Sequence, residues 1–260
     1  MNFYKYHGTA NDFVIIDNRK KLFKNYTNLV KKLCDRRTGI GADGLILLEN
    51  SDKTDFKMVY FNSDGNLSSM CGNGGRCIAS FAYTMNICEK TTSFEAPDGH
   101  HQALIDATDY VHLSMEDTKN PDKLDDKTYF LDTGSPHIVK FVDDLDHIDV
   151  YEKGKAIREQ KQFESIGGTN VNFVQIIGDE IQIRTYERGV EAETYSCGTG
   201  VTAAGIVAHF ADKIKQEKIK VNTKGGQLAV SFSADKIYTN ITLSGPVAFV
   251  FKGELDAFTK

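Results

Sequence analysis

The chain has 260 residues, a formal net charge of -5 and 40% hydrophobic residues, a composition that excludes wholesale disorder. Its uninterrupted apolar runs are far shorter than the roughly 20 residues of a membrane helix, which excludes a transmembrane protein. No Lys/Arg run is long enough to follow a phosphate backbone, so nucleic-acid binding is disfavoured.

The beginning of the chain and its cysteines favour a cytoplasmic protein. The first residues show neither an apolar signal core nor a cleavage site. The chain has 5 cysteines, an odd number, and no Cys-x-x-Cys pair, so a disulfide framework is not expected.

Hydrophobic periodicity predicts short strands that alternate with helices. In the first half, helices are predicted over residues 25–37 and from Gly72 to about residue 85, and strands over residues 12–17, 45–48, 56–61, 93–95, 102–105 and 111–115. The charged stretch 117–127 contains Pro121 and is interpreted as a linker. Beyond it, a helix is predicted after Cys197, and strands over residues 138–142, 171–177, 180–186, 228–232 and 237–243.

The sequence contains an internal repeat. The segment that begins Cys71-Gly-Asn-Gly aligns with the segment that begins Cys197-Gly-Thr-Gly, 126 positions later. Upstream strands and downstream glycine turns align at nearly the same offset, and Asn62 aligns with Glu187. The repeat predicts a duplicated, two-lobed α+β fold with a pseudo-twofold axis.

The glycines between Gly39 and Gly44 match the spacing of a dinucleotide-binding fingerprint. That fingerprint requires a strand before it and a helix after it, because the pyrophosphate binds at the helix N-terminus. Here a polar segment precedes the glycines and a strand follows them, so we interpret the segment as a turn.

Each repeat places a cysteine directly before a glycine-rich helix start. The N–H groups of a first helical turn and the helix dipole favour a bound anion, and the same field favours a thiolate. Inversion of a stereocentre requires one group to remove a proton and another to deliver one to the opposite face. Cys71 and Cys197 are therefore the candidate acid/base pair of a racemase or epimerase that needs no cofactor and no metal.

The other three cysteines are interpreted as structural. Cys77 follows Cys71 by six residues, near the opposite side of the helix, while Cys34 and Cys88 have no accompanying motif. A zinc site formed by cysteines with His100 and His101 is an alternative, but its spacing is poor.

These motifs resemble those of the diaminopimelate epimerase family over nearly the whole chain. The resemblance rests on the segments at residues 7–13, 39–44, 61–65, 70–77, 134–137, 170–173, 187–190 and 197–200. It implies two lobes, each a mainly antiparallel sheet wrapped around a central helix. The family converts LL- into meso-2,6-diaminoheptanedioate in lysine and peptidoglycan synthesis, and its members generally act as homodimers.

The resemblance also implies roles for individual residues. Cys71 and Cys197 would be the two thiols, and the reacting carboxylate would bind at Gly72, Asn73, Gly198 and Thr199. The remaining amino and carboxylate groups of the substrate would be held by Asn11, Asn62, Asn170, Glu187 and Arg188. Three further positions are possible site residues: His137, Ser135, where the family usually has asparagine, and Gly44, where some members have glutamine.

The expected organisation is one lobe of residues 1–117, to which residues 246–260 return, and a second lobe of residues 118–245.

Two other functions remain open. One is a related cofactor-free enzyme such as a proline racemase or hydroxyproline epimerase, against which Arg188 and the asparagines argue, because such a substrate has no second carboxylate. The other is a non-enzymatic thiol redox protein, which would not explain the polar residues beside both cysteines.

Overall fold

The computed structural model describes residues 1–24, 26–68, 70–107 and 109–255 of the chain. The chain divides into two compact units: residues 1–113 with the segment from Gly245 onward, and Ser114–Ser244. Strands predominate and few helices accompany them, which confirms the predicted α+β class. No helix in these described ranges has the length and apolar character that a membrane crossing requires.

The first unit is a mainly antiparallel sheet around one buried helix. Its helices are α1 (Tyr26–Cys34) and α2 (Gly72–Thr84), and its strands are β1 (Asn2–Gly8), β2 (Asn11–Asp17), β3 (Gly44–Glu49), β4 (Phe56–Asn62), β5 (Thr91–Ala96), β6 (Gly99–Ala107) and β7 (Tyr110–Ser114). Successive strands pair with each other, β2–β3 and β4–β5 in parallel and the others antiparallel. Helix α2 packs against β1, β2, β3 and β6, and its residues from Gly72 to Ala82 are buried.

The second unit repeats this arrangement. Its strands are β8 (Asp122–Lys123), β9 (Thr128–Asp132), β10 (Pro136–Phe141), β11 (Asn170–Ile177), β12 (Glu180–Glu187), β13 (Ala192–Thr194), β14 (Lys218–Thr223), β15 (Gly226–Ala234) and β16 (Tyr238–Pro246). Its helices are α3 (Val150–Arg158), a 3-10 helix (Lys161–Ile166) and α4 (Gly198–Phe210). The parallel pairs are β10–β11 and β12–β14, and α4 packs against the sheet as α2 does in the first unit.

The last strand, β17 (Ala248–Glu254), belongs to the first unit, where it pairs with β1 antiparallel. The three apolar side chains of Phe249, Val250 and Phe251 are about half exposed on this strand. An open cavity of about 680 Å³ lies beside it and is lined by residues that include Tyr4, Tyr6, Phe81, Met85 and Val247.

The linker predicted over residues 117–127 is wrong. The backbone of Thr118 exchanges hydrogen bonds with Tyr238, and Asp122–Lys123 pairs with β9. The segment is part of the second unit because these backbone groups find partners in its sheet.

Helix α1 is shorter than predicted. It ends at Cys34 rather than residue 37, because the N–H groups of Ile40 and Gly41 bond to the carbonyl of Leu33 and close the helix end. The predicted first residue, Asn25, lies outside the described residues. The glycines from Gly39 to Gly44 form the turn that joins this helix to β3, as predicted.

Candidate active site

Both candidate thiols lie at the N-cap of the buried helix of their unit. Cys71 precedes α2 and Cys197 precedes α4, each with extended backbone and no capping hydrogen bond from its side chain. The first intrahelical bonds run from Gly75 N to Cys71 O and from Val201 N to Cys197 O. The N–H groups of a first helical turn point out of the helix end, where they can bind a carboxylate, and each sulfur lies at such an end.

The other cysteines are in environments that suppress the thiolate. Burial raises the pKa of the Cys34 thiol to about 12, and burial also raises the pKa values of Cys77 and Cys88. Cys77 is fully buried inside α2, as predicted. These thiols are poor proton acceptors at neutral pH, whereas half-buried Cys71 is accessible.

Two predicted site residues of the first unit, Asn11 and Asn73, lie beside Cys71. The Cys71 sulfur lies 3.5 Å from Oδ1 of Asn11, and Nδ2 of Asn73 donates to the same oxygen over 3.2 Å. Nδ2 of Asn11 in turn donates to Oδ2 of Asp43 over 2.7 Å. Asp43 was not identified from the sequence, although it lies within residues 39–44, one of the segments that resemble the family.

Two further predicted positions lie on neighbouring strands. Gly44 pairs with Asn62 at the start of β3 and the end of β4. A Cβ atom at Gly44 would be 2.5 Å from the ring of Tyr60 and 2.6 Å from the carbonyl oxygen of Phe61. This position accepts no side chain in the present packing, and Gly44 can contribute only backbone to a site.

In the second unit, Asn170 connects two other predicted residues. Its Nδ2 donates to Oγ of Ser135 over 2.9 Å, and its Oδ1 accepts from the backbone N–H of Arg188 over 2.9 Å. Nη1 of Arg188 donates to the carbonyl oxygens of Ile166 and Gly168, which holds the guanidinium at the end of β12. Glu187 precedes it and is half buried.

The second thiol has a hydroxyl neighbour. The Cys197 sulfur lies 3.5 Å from Oγ1 of Thr199, a group that can donate or accept a hydrogen bond. The backbone carbonyl of Thr199 accepts from Oγ1 of Thr133 over 3.0 Å, which fixes the first turn of α4 to the end of β9.

His137 is fully buried on β10. Nδ2 of Asn172 donates to its Nδ1 over 3.1 Å, and Thr185 donates to Oδ1 of Asn172 over 2.9 Å. Burial, with the charge of Arg188 as the second cause, lowers the pKa of His137 to about 3. The ring is therefore neutral near pH 7 and carries its proton on Nε2, which has no hydrogen-bond partner in the described part of the chain. Asn172 was not identified from the sequence, although it lies within the quoted segment 170–173.

The two sets of candidate residues occupy corresponding positions in the repeated topology. The β2–β3 pair aligns Phe13 with Gly44, and the β10–β11 pair aligns His137 with Asn170. Asn11 and Ser135 precede Phe13 and His137 by two residues each. Each unit therefore presents an equivalent set of candidate residues at strand ends and at one Cys-Gly helix start.

The sequence matches known proteins over almost its whole length. A family model described as diaminopimelate epimerase matches residues 3–119 and 129–250. The chain is 52% identical to diaminopimelate epimerase of Flavobacterium psychrophilum, with 97% of this chain and 99% of the relative covered. It is 43% identical to diaminopimelate epimerase of Chlorobaculum tepidum, with 95% and 98% covered.

Solved structures with low sequence identity share the fold. A probable proline racemase from Agrobacterium radiobacter matches with a TM-score of 0.75 at 15% identity, covering 98% of this chain and 93% of that chain. A hydroxyproline epimerase from Agrobacterium vitis matches with a TM-score of 0.73 at 14% identity, covering 99% and 92%.

Proposed function

The chain belongs to the diaminopimelate epimerase family, and from this membership we propose that Cys71 and Cys197 epimerise LL-2,6-diaminoheptanedioate to the meso isomer. The enzyme is an isomerase of lysine biosynthesis. The observation that carries the assignment of the two thiols is the equivalent Cys-Gly helix start in both units. No metal or cofactor takes part in the proposed reaction.

The chemistry is a proton exchange at one α-carbon. One sulfur, as thiolate, removes the Cα proton, and the other, as thiol, delivers its own proton to the opposite face of the resulting carbanion. The roles of the two sulfurs are exchanged in the reverse reaction. The reacting carboxylate binds to the first-turn N–H groups at Gly72, Asn73, Gly198 and Thr199, and these dipoles stabilise the negative charge that develops on it.

The remaining polar groups select the substrate. Arg188 carries a planar guanidinium that suits the distal carboxylate, because it can form two parallel hydrogen bonds to it. Asn11, Asn62, Asn170 and Glu187 offer the acceptors and donors that a zwitterionic amino-acid end requires. The neutral ring of His137 offers its Nε2–H as a further donor for the substrate, and Asn170 donates to the hydroxyl of Ser135.

The active protein is a homodimer in this proposal. A pair of half-exposed phenylalanines on β17, Phe249 and Phe251, offers an apolar strand surface to a second copy of the chain. Replacement of Phe249 by Asp should shift the protein from dimer to monomer in light scattering, while Leu22→Asp, at an exposed apolar residue elsewhere in the unit, should not. A monomeric wild-type protein at micromolar concentration would contradict the dimer.

We also place the protein in the cytoplasm. Both proposed acid/base groups must remain reduced thiols, which the cytoplasm maintains and an oxidising compartment does not. Activity should therefore fall when the protein is oxidised and return with a reducing agent.

The decisive experiment incubates the protein with LL-diaminopimelate in D2O and follows both stereochemistry and deuterium at the α-carbon. The wild type should form the meso isomer with deuterium at the inverted carbon. Cys71→Ala and Cys197→Ala should each abolish inversion, because either change removes one of the two required groups. Cys88→Ser is the matched control and should keep wild-type turnover.

Retention of full epimerase activity in Cys71→Ala or Cys197→Ala would overturn the assignment of the thiols. Absence of turnover on diaminopimelate with turnover on proline would instead favour the proline racemase-like alternative.

A further inference from the structure

Four polar side chains of the first unit form a continuous hydrogen-bonded series beside Cys71. Nη2 of Arg76 donates to Oδ1 of Asn73 over 2.8 Å, and Nδ2 of Asn73 donates to Oδ1 of Asn11 over 3.2 Å. Nδ2 of Asn11 donates to Oδ2 of Asp43 over 2.7 Å. We call these four residues the amide relay.

The two ends of the amide relay fix the orientation of both amides. A guanidinium can only donate hydrogen bonds, so the oxygen of Asn73 must face Arg76. An ionised carboxylate can only accept them, so the nitrogen of Asn11 must face Asp43. The oxygen of Asn11 is consequently left to face the Cys71 sulfur, 3.5 Å away.

Both terminal ions are themselves held in place. Arg76 is fully buried, Nη1 donates to the carbonyl of Gly72, and a Cβ atom at Gly8 would lie only 3.2 Å from Nη2. Asp43 accepts from Nη2 of Arg36 over 2.7 Å and from the backbone N–H of Asp12 over 3.2 Å. Neither end can change partners without a rearrangement of its surroundings.

The second unit has no equivalent series at the corresponding positions. The repeat aligns Asn73 with Thr199 and Arg76 with Thr202, whose hydroxyl donates to the carbonyl of Gly198 over 3.1 Å. Thr199 can rotate its hydroxyl to donate to a sulfur anion at Cys197. The residues around the two sulfurs are therefore equivalent in topology, but the hydrogen-bonding groups that face each sulfur differ.

We propose that Asp43 and Arg76 are positioning residues that lock Oδ1 of Asn11 toward Cys71 as an acceptor and so keep the proton on the Cys71 sulfur in the unliganded enzyme. An acceptor stabilises S–H and not the thiolate. Cys197 is then the thiolate partner in that state. The proposal rests on the proposed function, which makes these two sulfurs the acid and the base.

Other charged and titratable groups surround the amide relay. On one side these are Cys77 and Tyr110, which with Cys71 interact electrostatically with Arg76. On the other side Arg36 and Lys5 pair with Asp12 next to Asp43. Any test must therefore separate the orientation of Asn11 from the effect of the charges themselves.

The test measures the rate of Cys71 alkylation by iodoacetamide as a function of pH, with the modified peptide identified by mass spectrometry. In Asp43→Asn the carboxylate no longer fixes the Asn11 amide, whose nitrogen can turn toward the sulfur and stabilise the thiolate. The pH midpoint of alkylation should fall by about one unit. The same substitution in an Asn11→Ala background should change the midpoint by less than about a third of that, because only the loss of charge remains.

Arg76→Gln, measured with and without Asn11, provides a second double-mutant cycle. It removes a positive charge, whereas Asp43→Asn removes a negative one. Loss of a cation alone raises the midpoint, and this rise is expected in the Asn11→Ala background. With Asn11 present, loss of Arg76 also frees the amides of Asn73 and Asn11 to turn, so that the Asn11 nitrogen can stabilise the Cys71 thiolate. This effect opposes the rise, and the midpoint should shift upward less, or shift downward. If Arg76→Gln does not fold, the Asp43 cycle decides by itself, because Asp43 is only half buried.

Turnover gives an independent readout. Asp43→Asn should lower kcat about tenfold with a smaller change in KM, the size of a weakened general acid/base step. Arg19→Gln, which removes a surface salt bridge to Asp17 in the same unit and contacts none of the four amide-relay residues, should retain wild-type kcat.

An unchanged midpoint in Asp43→Asn, or equal shifts with and without Asn11, would overturn the proposal. Alkylation requires no substrate, so its outcome is independent of the proposed reaction. If the expected shifts in the alkylation midpoint are observed but the protein does not epimerise diaminopimelate, only the proposed function is contradicted.

Discussion

Nδ2 of Asn172 donates a hydrogen bond to Nδ1 of His137 over 3.1 Å, and both side chains are completely buried. The same amide nitrogen donates to the carbonyl of Ile138 over 2.9 Å, and Thr185 holds the amide oxygen. This contact decides the tautomer of the ring, because Nδ1 must accept and the proton must reside on Nε2.

Protonation of His137 should destabilise the protein at mildly acidic pH. Burial lowers the pKa of His137 from its ordinary value of 6.5 to about 3, so the unfolded chain binds the proton more readily than the folded one. The contribution of neutral His137 to the free energy of unfolding is complete above pH 6.5 and is lost as the pH falls toward 3. The free energy of unfolding should fall by about 2 kcal/mol between pH 7 and pH 5. Urea unfolding at pH 5, 6 and 7 should show this slope in the wild type and a shallower one in His137→Gln.

Replacement of Arg188 by Leu should weaken productive use of diaminopimelate. The lost charge-assisted hydrogen bonds correspond to about 1.5–3 kcal/mol, or roughly 10- to 150-fold in kcat/KM. Arg188→Lys keeps the charge without the planar fork and should give an intermediate loss. An unchanged kcat/KM in Arg188→Leu would remove this residue from the site, and the thermal midpoint of each variant controls for its contacts to Ile166 and Gly168.

Replacement of Ala10 by Gly should stabilise the protein. Thr9 and Ala10 form the two-residue turn between β1 and β2, with φ values of 49° and 64°. The left-handed region disfavours residues with a Cβ atom, so Gly should raise the free energy of unfolding by about 0.5–1 kcal/mol. Ala10→Val should lower it, and a decrease in both variants would show that the turn is unstrained.

Replacement of Gly200 by Ala should destabilise α4. The new Cβ would lie 2.4 Å from Oδ1 of Asn172 and push against the side chain that holds His137. The cost should be about 1–3 kcal/mol, measured by denaturant unfolding. Gly205→Ala is the control in the same helix: its Cβ would meet Val230 at 3.2 Å, and better helix propensity offsets part of that contact. Equal costs at both positions would argue against a specific clash with Asn172.

Removal of metal ions should leave turnover intact. Proton transfer between thiols and carbon requires only side chains and backbone dipoles in the proposed mechanism. Dialysis against a chelator should therefore not change kcat/KM for diaminopimelate. Loss of turnover that returns when a divalent metal is added would contradict a purely two-thiol mechanism.

Several elements were not predicted because their sequences are weakly patterned. Helix α3 has only nine residues and carries a glycine, which has low helix propensity, in its middle. Gly154 is tolerated because α3 lies directly on Tyr186, where a Cβ atom would be 2.4 Å from that side chain. Strand β1 contains polar residues at positions that only its pairing with β2 and β17 explains.

The sequence alone identified the repeated Cys-Gly helix starts and hence the pair of candidate thiols, because helix initiation and its anion-binding N–H groups are local properties of a few adjacent residues. Which polar atoms face each sulfur was decided only by the tertiary structure. The orientation of Asn11 depends on Asp43, 32 residues away, and on Asn73, 62 residues away. Strand register and helix packing bring these donors and acceptors together, and a hydrogen bond acquires its direction only when both partners are in place.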